Sequence, residues 1–149
     1  MNAVPRPVTD GQDAYVLDDQ VGFLLRRAHQ RASAIFQAEF AASRLTPMQW
    51  AALVQLADHG ALSQNHLGRL TAMDPATIQG VIRRLVRRGL IERRADAVDR
   101  RRKVLEPTPE GRVLTETLRP RGHAVSARVL SPLSGRERRQ LLELLVKIG

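Results

Sequence analysis

Arginine dominates the chemistry available to this chain, and its arginines are clustered. From Arg83 to Lys103, ten Lys or Arg residues stand against three acids, Glu92, Asp96 and Asp99. That single stretch therefore holds +7 of the formal net charge of +9 carried by 149 residues. Arg83, Arg84 and Arg87 recur at helical spacing, and Arg100, Arg101, Arg102 and Lys103 follow Asp99 directly. Guanidinium groups gathered in one patch suit phosphate oxygens and guanine edges, and neutralising phosphates releases condensed counterions. Genomic base composition also biases a protein toward Arg over Lys, so the placement of these residues carries more meaning than their number. Other chemistries are excluded as plainly. Without cysteine there is no disulfide, thiolate nucleophile, Cys-based zinc site or thiol redox sensor. His29, His59, His66 and His123 show no short two-ligand spacing on one helix face, so no metal site is expected. The sequence has no Gly-rich phosphate loop, paired-carboxylate motif or nucleophile elbow, so neither catalytic residues nor a cofactor are expected.

The elements that must position the arginines are legible around them. Residues on a helix advance by about 100° each. Ile78, Val81, Ile82, Leu85 and Val86 then share one face, and Ala76, Gly80, Arg83, Arg84 and Arg87 the opposite one, with Thr77 and Gln79 on the flanks. Asp74 fits as N-cap, Pro75 as the first helical residue and Gly89 as the stop. The outer face is slim at its start, where base edges would lie, and cationic further on, where phosphates would lie. Leu90 to Arg94 has the pattern of a short strand, Ala95 to Asp99 turns, and Arg102 to Leu105 returns before Pro107 ends the pairing. An arginine at the tip of such a hairpin can enter a narrow minor groove while a neighbouring carboxylate holds it, and Asp99 with Arg101 form the natural pair. This is the layout of a winged helix-turn-helix. The competing reading is a surface helix whose arginines are merely solvated.

Upstream, Thr46, Pro47 and Gln49 form a capping box that opens a helix through Met48, Trp50, Leu53, Val54 and Leu56 to about Asp58, closed by Gly60. Ser63 caps a short helix whose Leu67 and Leu70 point inward, and Ser63, Gln64 and Asn65 are placed to clamp a phosphate at its N-terminus. Thr71 to Asp74 then turns into the arginine-bearing helix. Leu17, Val21, Leu24, Leu25, Ala28, Ala32, Ile35 and Phe36 mark a long amphipathic helix. Leu133 to Ile148 marks another, opened by a capping box from Ser134 to Glu137. Between them Thr108 to Leu130 is helical with Pro109 at its start, and Pro120 with Gly122 is expected to kink or break it. The flanking helices have too few partners inside a small winged lobe, so a twofold homodimer is expected to bury them. The fold class expected is mainly α with a small β wing. Residues 45–107 form the DNA-binding lobe, 15–44 and 108–149 dimerisation helices, and 1–14 a flexible arm that lacks the apolar run of a signal peptide. No segment approaches the roughly 18 to 20 apolar residues of a membrane span, and a cytoplasmic location is expected.

The order of these elements, with the Thr-Pro-x-Gln-Trp helix, the Asp-x-Arg wing and the PTPEGR stretch, resembles the MarR family of transcriptional regulators from about Leu17 onward. Asp99 and Arg101 match the family's Asp-x-Arg, and Thr108 and Gly111 match the Thr and Gly that open its fifth helix. The family pattern usually has Leu where Pro107 stands, and Pro120 departs from an unbroken fifth helix. The resemblance implies a homodimer on a palindromic double-stranded DNA operator. LLRRAHQR and SQNHLGRLTAMDPATIQGVIRRL look like the branch that controls catabolism of aromatic acids, such as hydroxycinnamates or hydroxylated nicotinates. It implies an effector site between the dimerisation helices and the DNA-binding lobe, with His29, Arg26, Trp50 and Tyr15 as candidates to hold a small aromatic acid. The expected DNA contacts are Ser63, Gln64, Asn65, Pro75, Ala76, Thr77, Gln79, Arg83, Arg84, Arg87, Asp99, Arg100 and Arg101. The alternatives are a sequence-tolerant DNA-compacting protein without effector and a metal- or stress-responsive regulator on the same fold.

Overall fold

The structure, a computed structural model, describes residues 15–149, and the expected N-terminal arm lies outside them. After a short 3-10 turn at Leu17–Asp19, six helices and a hairpin follow: α1 (Val21–Phe40), α2 (Pro47–His59), α3 (Gln64–Leu70), α4 (Pro75–Arg87), β1 (Ile91–Ala95), β2 (Lys103–Pro107), α5 (Pro109–Val129) and α6 (Gly135–Ile148). The helix starts are set by side chains that satisfy otherwise orphaned backbone N–H groups. Thr46 and Gln49 make the reciprocal capping box of α2, and Ser134 and Glu137 that of α6. Asp74 accepts from the Thr77 N–H at 2.9 Å, and Ser63 from the His66 N–H at 3.2 Å. α1 begins later than the apolar pattern suggested because Gln20 is extended, and it runs on to Phe40. There Phe36 and Phe40 stack with centroids 4.1 Å apart, and Phe40 leans on Trp50 at 5.0 Å.

The core joins Phe36, Phe40, Leu53, Leu56, Leu67, Ile78, Ile82, Leu85, Ile91, Leu105 and Leu118. α1 packs along α5, α2 sits between α5 and α4, and α3 crosses α4. On α2 the buried positions are Gln49, Ala52, Leu53 and Leu56, while Met48 is exposed, because the capping box turns Gln49 inward. On α4 the buried stripe is Ile78, Val81, Ile82 and Leu85, and Val86, expected on that face, lies outside it.

β1 and β2 pair antiparallel, with Ile91 opposite Pro107 and Ala95 opposite Lys103. Pro107 thus belongs to the strand instead of ending it. Leu105 exchanges both of its backbone bonds with Leu62 on the outer side of β2, at 2.8 and 3.1 Å. Backbone groups alternate sides along a strand, so the N–H that proline lacks at 107 would also face away from β1. Leu62 in this way forms a one-residue third strand that ties the α2–α3 loop to the wing.

α5 is continuous through Pro120, contrary to the expected break. Proline removes one intrahelical bond, but contacts on either side hold the helix. Arg119 bonds Asp58 of α2, and Arg121 and Arg128 approach Glu39 of α1 at 3.8 and 2.6 Å. Gly122 lets the Trp50 ring come close: a Cβ there would lie 3.3 Å from its Cζ2. At the start of α5, Thr108 donates to the Gly89 carbonyl at 2.7 Å and accepts from the Gly111 N–H at 3.1 Å.

Two predictions follow from this packing. A Cβ at Gly111 would lie 2.0 Å from the Leu90 carbonyl oxygen, which also accepts from the Thr108 N–H. Gly111→Ala should therefore cost about 3 kcal/mol by forced backbone separation, read as a lower midpoint in urea denaturation; an unchanged midpoint would show that the backbone yields freely here. Hydrogen bonds hold three carboxylates below their usual range: Asp74 by the Thr77 hydroxyl and then its N–H, Asp96 by the N–H groups of Asp99 and Val98, and Glu137 by the Ser134 N–H and hydroxyl. Lowered folded values stabilise the protein above the ordinary carboxylate range, and that stabilisation is lost as pH falls through the folded values. Denaturation midpoints should hold steady down to that range and fall below it, with a shallower fall in Asp74→Asn; equal slopes in variant and wild type would contradict the assignment.

Candidate nucleic-acid interface

Because four side chains of α4 are committed to the core, the opposite face of the helix is committed to solvent. Pro75, Ala76, Gln79, Arg83, Arg84 and Arg87 are all exposed along it, and a Cβ at Gly80 would meet nothing within 4 Å. The N-terminal half is low in profile, and the C-terminal half carries three guanidinium groups. Thr77 is half-buried, and its hydroxyl donates to the Asp74 carboxylate, so this side chain belongs to the cap as well as to the outer face. At α3, Ser63 and Asn65 are exposed and Gln64 is half-buried. The Ser63 oxygen accepts from His66, which leaves its own hydroxyl proton free to donate to an anion.

The wing sorts its cations into structural and free ones. Glu92 and Glu106 face each other across the strands, and Arg94 bridges them at 2.7 and 3.8 Å, offsetting a like-charge pair. Asp96 closes the turn by accepting from the N–H groups of Val98 and Asp99 at 2.7 and 3.1 Å. Asp99 does not form an ion pair with Arg101 as expected. Its carboxylate accepts from the Arg101 backbone N–H at 3.1 Å and approaches the Arg102 guanidinium at 3.4 Å. The reason is local geometry: the turn brings Arg102 back over Asp99, with the Arg102 N–H bonded to the Asp99 carbonyl at 2.9 Å. Among the described residues, the exposed Arg100 and Arg101 have no acidic partner. Arg88 leaves the footprint altogether, since its guanidinium donates to the Ser43 and Arg44 carbonyls at 2.8 and 3.3 Å, where the chain turns out of α1. Among the described residues from Arg83 to Lys103, the exposed cations without an acidic partner are Arg83, Arg84 and Arg87 on α4, Arg93 and Lys103 on the strands, and Arg100 and Arg101 at the wing tip. Opposing charge is engaged elsewhere.

A second site lies between α2 and α5. Trp50, Val54, Arg119, Gly122 and His123 line a cleft of about 240 Å³. Arg119 bonds Glu116 and Asp58, and these two carboxylates hold its guanidinium more firmly charged than usual. Of the four residues expected to hold an effector, only Trp50 lines this cleft. Tyr15, Arg26 and His29 are exposed on the N-terminal segment and α1, and His29 lies 3.4 Å from the Ser33 hydroxyl. Arg119 and His123 were missed because they meet Trp50 only through tertiary packing. Their spacing of four on α5, with Gly122 between them to admit a large ring, is the signal that was available.

Comparison with known proteins agrees with this geometry. The MarR family model matches residues 45–102, from the end of the α1–α2 connection through the wing turn. The chain is 40% identical over 134 residues to the HTH-type transcriptional repressor NicR of Pseudomonas putida, covering 90% of this chain and 85% of that protein. A probable transcriptional regulator from Pseudomonas aeruginosa superposes with a TM-score of 0.85 at 48% identity, covering 90% of this chain and all of that one. BpsR of Bordetella bronchiseptica, whose DNA binding is regulated by 6-hydroxynicotinic acid, superposes with a TM-score of 0.87 at 40% identity, covering 91% and 97%. With its recognition helix, its wing and these relatives in agreement, the chain belongs to the MarR family and is a DNA-binding transcriptional regulator, not an enzyme.

Proposed function

We propose that this regulator works in the cytoplasm as a homodimeric repressor on a palindromic operator and is released by a small aromatic acid bound in the Trp50 cleft. The observation that carries the effector reading is the composition of the cleft: an indole wall packed close on Gly122, with an arginine and a histidine beside it. Flat apolar surface beside one strong donor suits an aromatic carboxylate. At about 240 Å³ the cleft is smaller than the roughly 300–1,000 Å³ of drug-sized sites, which favours a single-ring acid. Hydroxylated nicotinates are the first class to test, since BpsR responds to one.

The dimer reading is supported by apolar surface that one chain leaves uncovered. α6 buries none of its side chains, and Leu142, Leu145 and Ile148 are exposed on it. Leu17, Val21 and Leu25 are exposed at the other end of the chain. A second copy covering these helices would set two α4 helices toward half-sites about one DNA turn apart. On this reading Arg26 and His29 belong to the subunit interface.

The link from cleft to operator runs through Asp58. Its bond to Arg119 is partly exposed, and such pairs contribute only about 0–1 kcal/mol. An effector carboxylate can therefore replace Asp58 on Arg119 at little cost. Asp58 stands at the end of α2, directly before the loop whose Leu62 is bonded to the wing. Freeing it loosens α2 from α5 where the helix-turn-helix begins. A tenfold drop in operator affinity needs a preference of about 1.4 kcal/mol for the released form.

Trp50 is the single tryptophan of the chain and reports on the cleft directly. Titration with 6-hydroxynicotinate should change its emission saturably, and Arg119→Gln should weaken that binding about tenfold or more. Emission indifferent to a panel of one-ring aromatic acids would overturn the effector reading. On the DNA side, Arg101→Ala should weaken binding to every sequence and reduce the salt slope by about one. Gln79→Ala should change base preference at one position of each half-site, and Arg101→Ala binding as wild type at matched salt would contradict the wing contact.

A further inference from the structure

The wing tip ends in a side chain that the arginine contacts do not use. Val98 is 97% exposed among the described residues. A lone exposed aliphatic residue is ordinary, but this one is held in place. The Asp96 carboxylate fixes its backbone N–H at 2.7 Å and the next one at 3.1 Å. The turn is closed from Asp96 N–H to the Arg102 carbonyl and from Arg102 N–H to the Asp99 carbonyl, both at 2.9 Å. A β-branched side chain is stiff at χ1, so two methyl groups stand at a defined point on the hairpin tip. Close to Val98 in the chain are Arg100 and Arg101, without an acidic partner among the described residues, and on the wing contact proposed above they draw the tip toward a narrow minor groove.

We propose that Val98 is a specificity-determining residue that selects A·T pairs under the wing. The minor-groove floor of an A·T pair shows acceptors with an apolar C–H of adenine between them, whereas a G·C pair places the guanine 2-amino group there. A methyl pressed onto the floor fits over the adenine C–H. It collides with the amino group and strips its water without offering an acceptor, which leaves a buried donor unsatisfied. Apolar side chains also enter the minor groove in other DNA-binding proteins, there as wedges between base steps. The selectivity is independent of any effector and of the bases read by α4.

The test uses full-length protein and an operator selected from a random DNA pool, with the wing positions located by hydroxyl-radical protection. A·T pairs at those positions are exchanged for G·C or for inosine·C, which lacks only the 2-amino group. For wild type, G·C should weaken binding roughly tenfold, and inosine·C should restore most of it. Val98→Thr keeps the shape of the side chain but supplies a hydroxyl that can accept from the amino group, and it should close most of the gap between G·C and inosine·C. Equal losses for G·C and inosine·C in wild type would overturn the proposal. A gap unchanged in Val98→Thr would also overturn it, because the amino group would then act through groove width on the arginines alone.

Discussion

Burial of one stripe of α4 is the interaction on which the rest of this structure depends. Ile78, Val81, Ile82 and Leu85 are almost fully buried, and each buried aliphatic side chain contributes about 1.5–3 kcal/mol. Exposing all four would cost as much as the roughly 5–15 kcal/mol of net stability a domain has, so the helix cannot roll about its axis without unfolding the lobe. Its outer face, with Gln79 and the three arginines, is thereby fixed outward. α3 is held just as closely, since a Cβ at Gly68 would lie 3.3 Å from the Met73 carbonyl oxygen and 3.5 Å from Ile78. Both ends of α4 are gripped as well. Asp74 caps the first turn, and Arg88 reaches from beyond the last turn to the Ser43 and Arg44 carbonyls of the α1–α2 connection. Any movement of α1 relative to the lobe is therefore felt at the recognition helix.

What the sequence made legible divides along a physical line. Features decided within one or two turns of chain were readable: the capping boxes at Thr46 and Ser134, the Asp74 cap with Pro75, the stripe on α4 and the hairpin that follows it. Features decided by contacts across the fold were not. Pro120 has a strong local tendency to break a helix, but packing of α5 along α1 and α2, with Thr115 and Leu118 buried just ahead of the proline, holds the helix together around it. Pro107 looks like a strand terminator until Leu62 is found on the outer side of β2, which shows which way its missing N–H would point. The Asp99–Arg101 pairing failed for a subtler reason. Sequence adjacency names two neighbours for a carboxylate in a turn, and only the path of the turn chooses between Arg101 and Arg102.

The same line runs through the functional sites. The exposed face of α4 and the wing tip, expected to meet DNA, were legible because a helix face and a hairpin tip are local objects. Of the residues expected to hold an effector, only Trp50 lines the cleft between α2 and α5, because Arg119, Gly122 and His123 come from α5, far away in the sequence. His29 and Arg26 drew attention by charge and spacing on α1, but that half of the helix faces away from its own core. Charge counting alone also overstated the interface. Within the stretch from Arg83 to Lys103, Arg88, Arg94 and Arg102 are engaged by carbonyls and carboxylates, which leaves seven of its ten cations without such a partner among the described residues.

The central claim is that occupancy of a cleft between α2 and α5 controls what α4 and the wing do on DNA. Its most direct test is fluorescence anisotropy of the protein on labelled DNA from upstream of its own gene, against a scrambled fragment, with and without a series of one-ring aromatic acids. The account predicts tight binding to the natural fragment only, lost on addition of one class of acid and restored when the acid is diluted away. Binding that treats both fragments alike, or selective binding that no acid relieves, would contradict it.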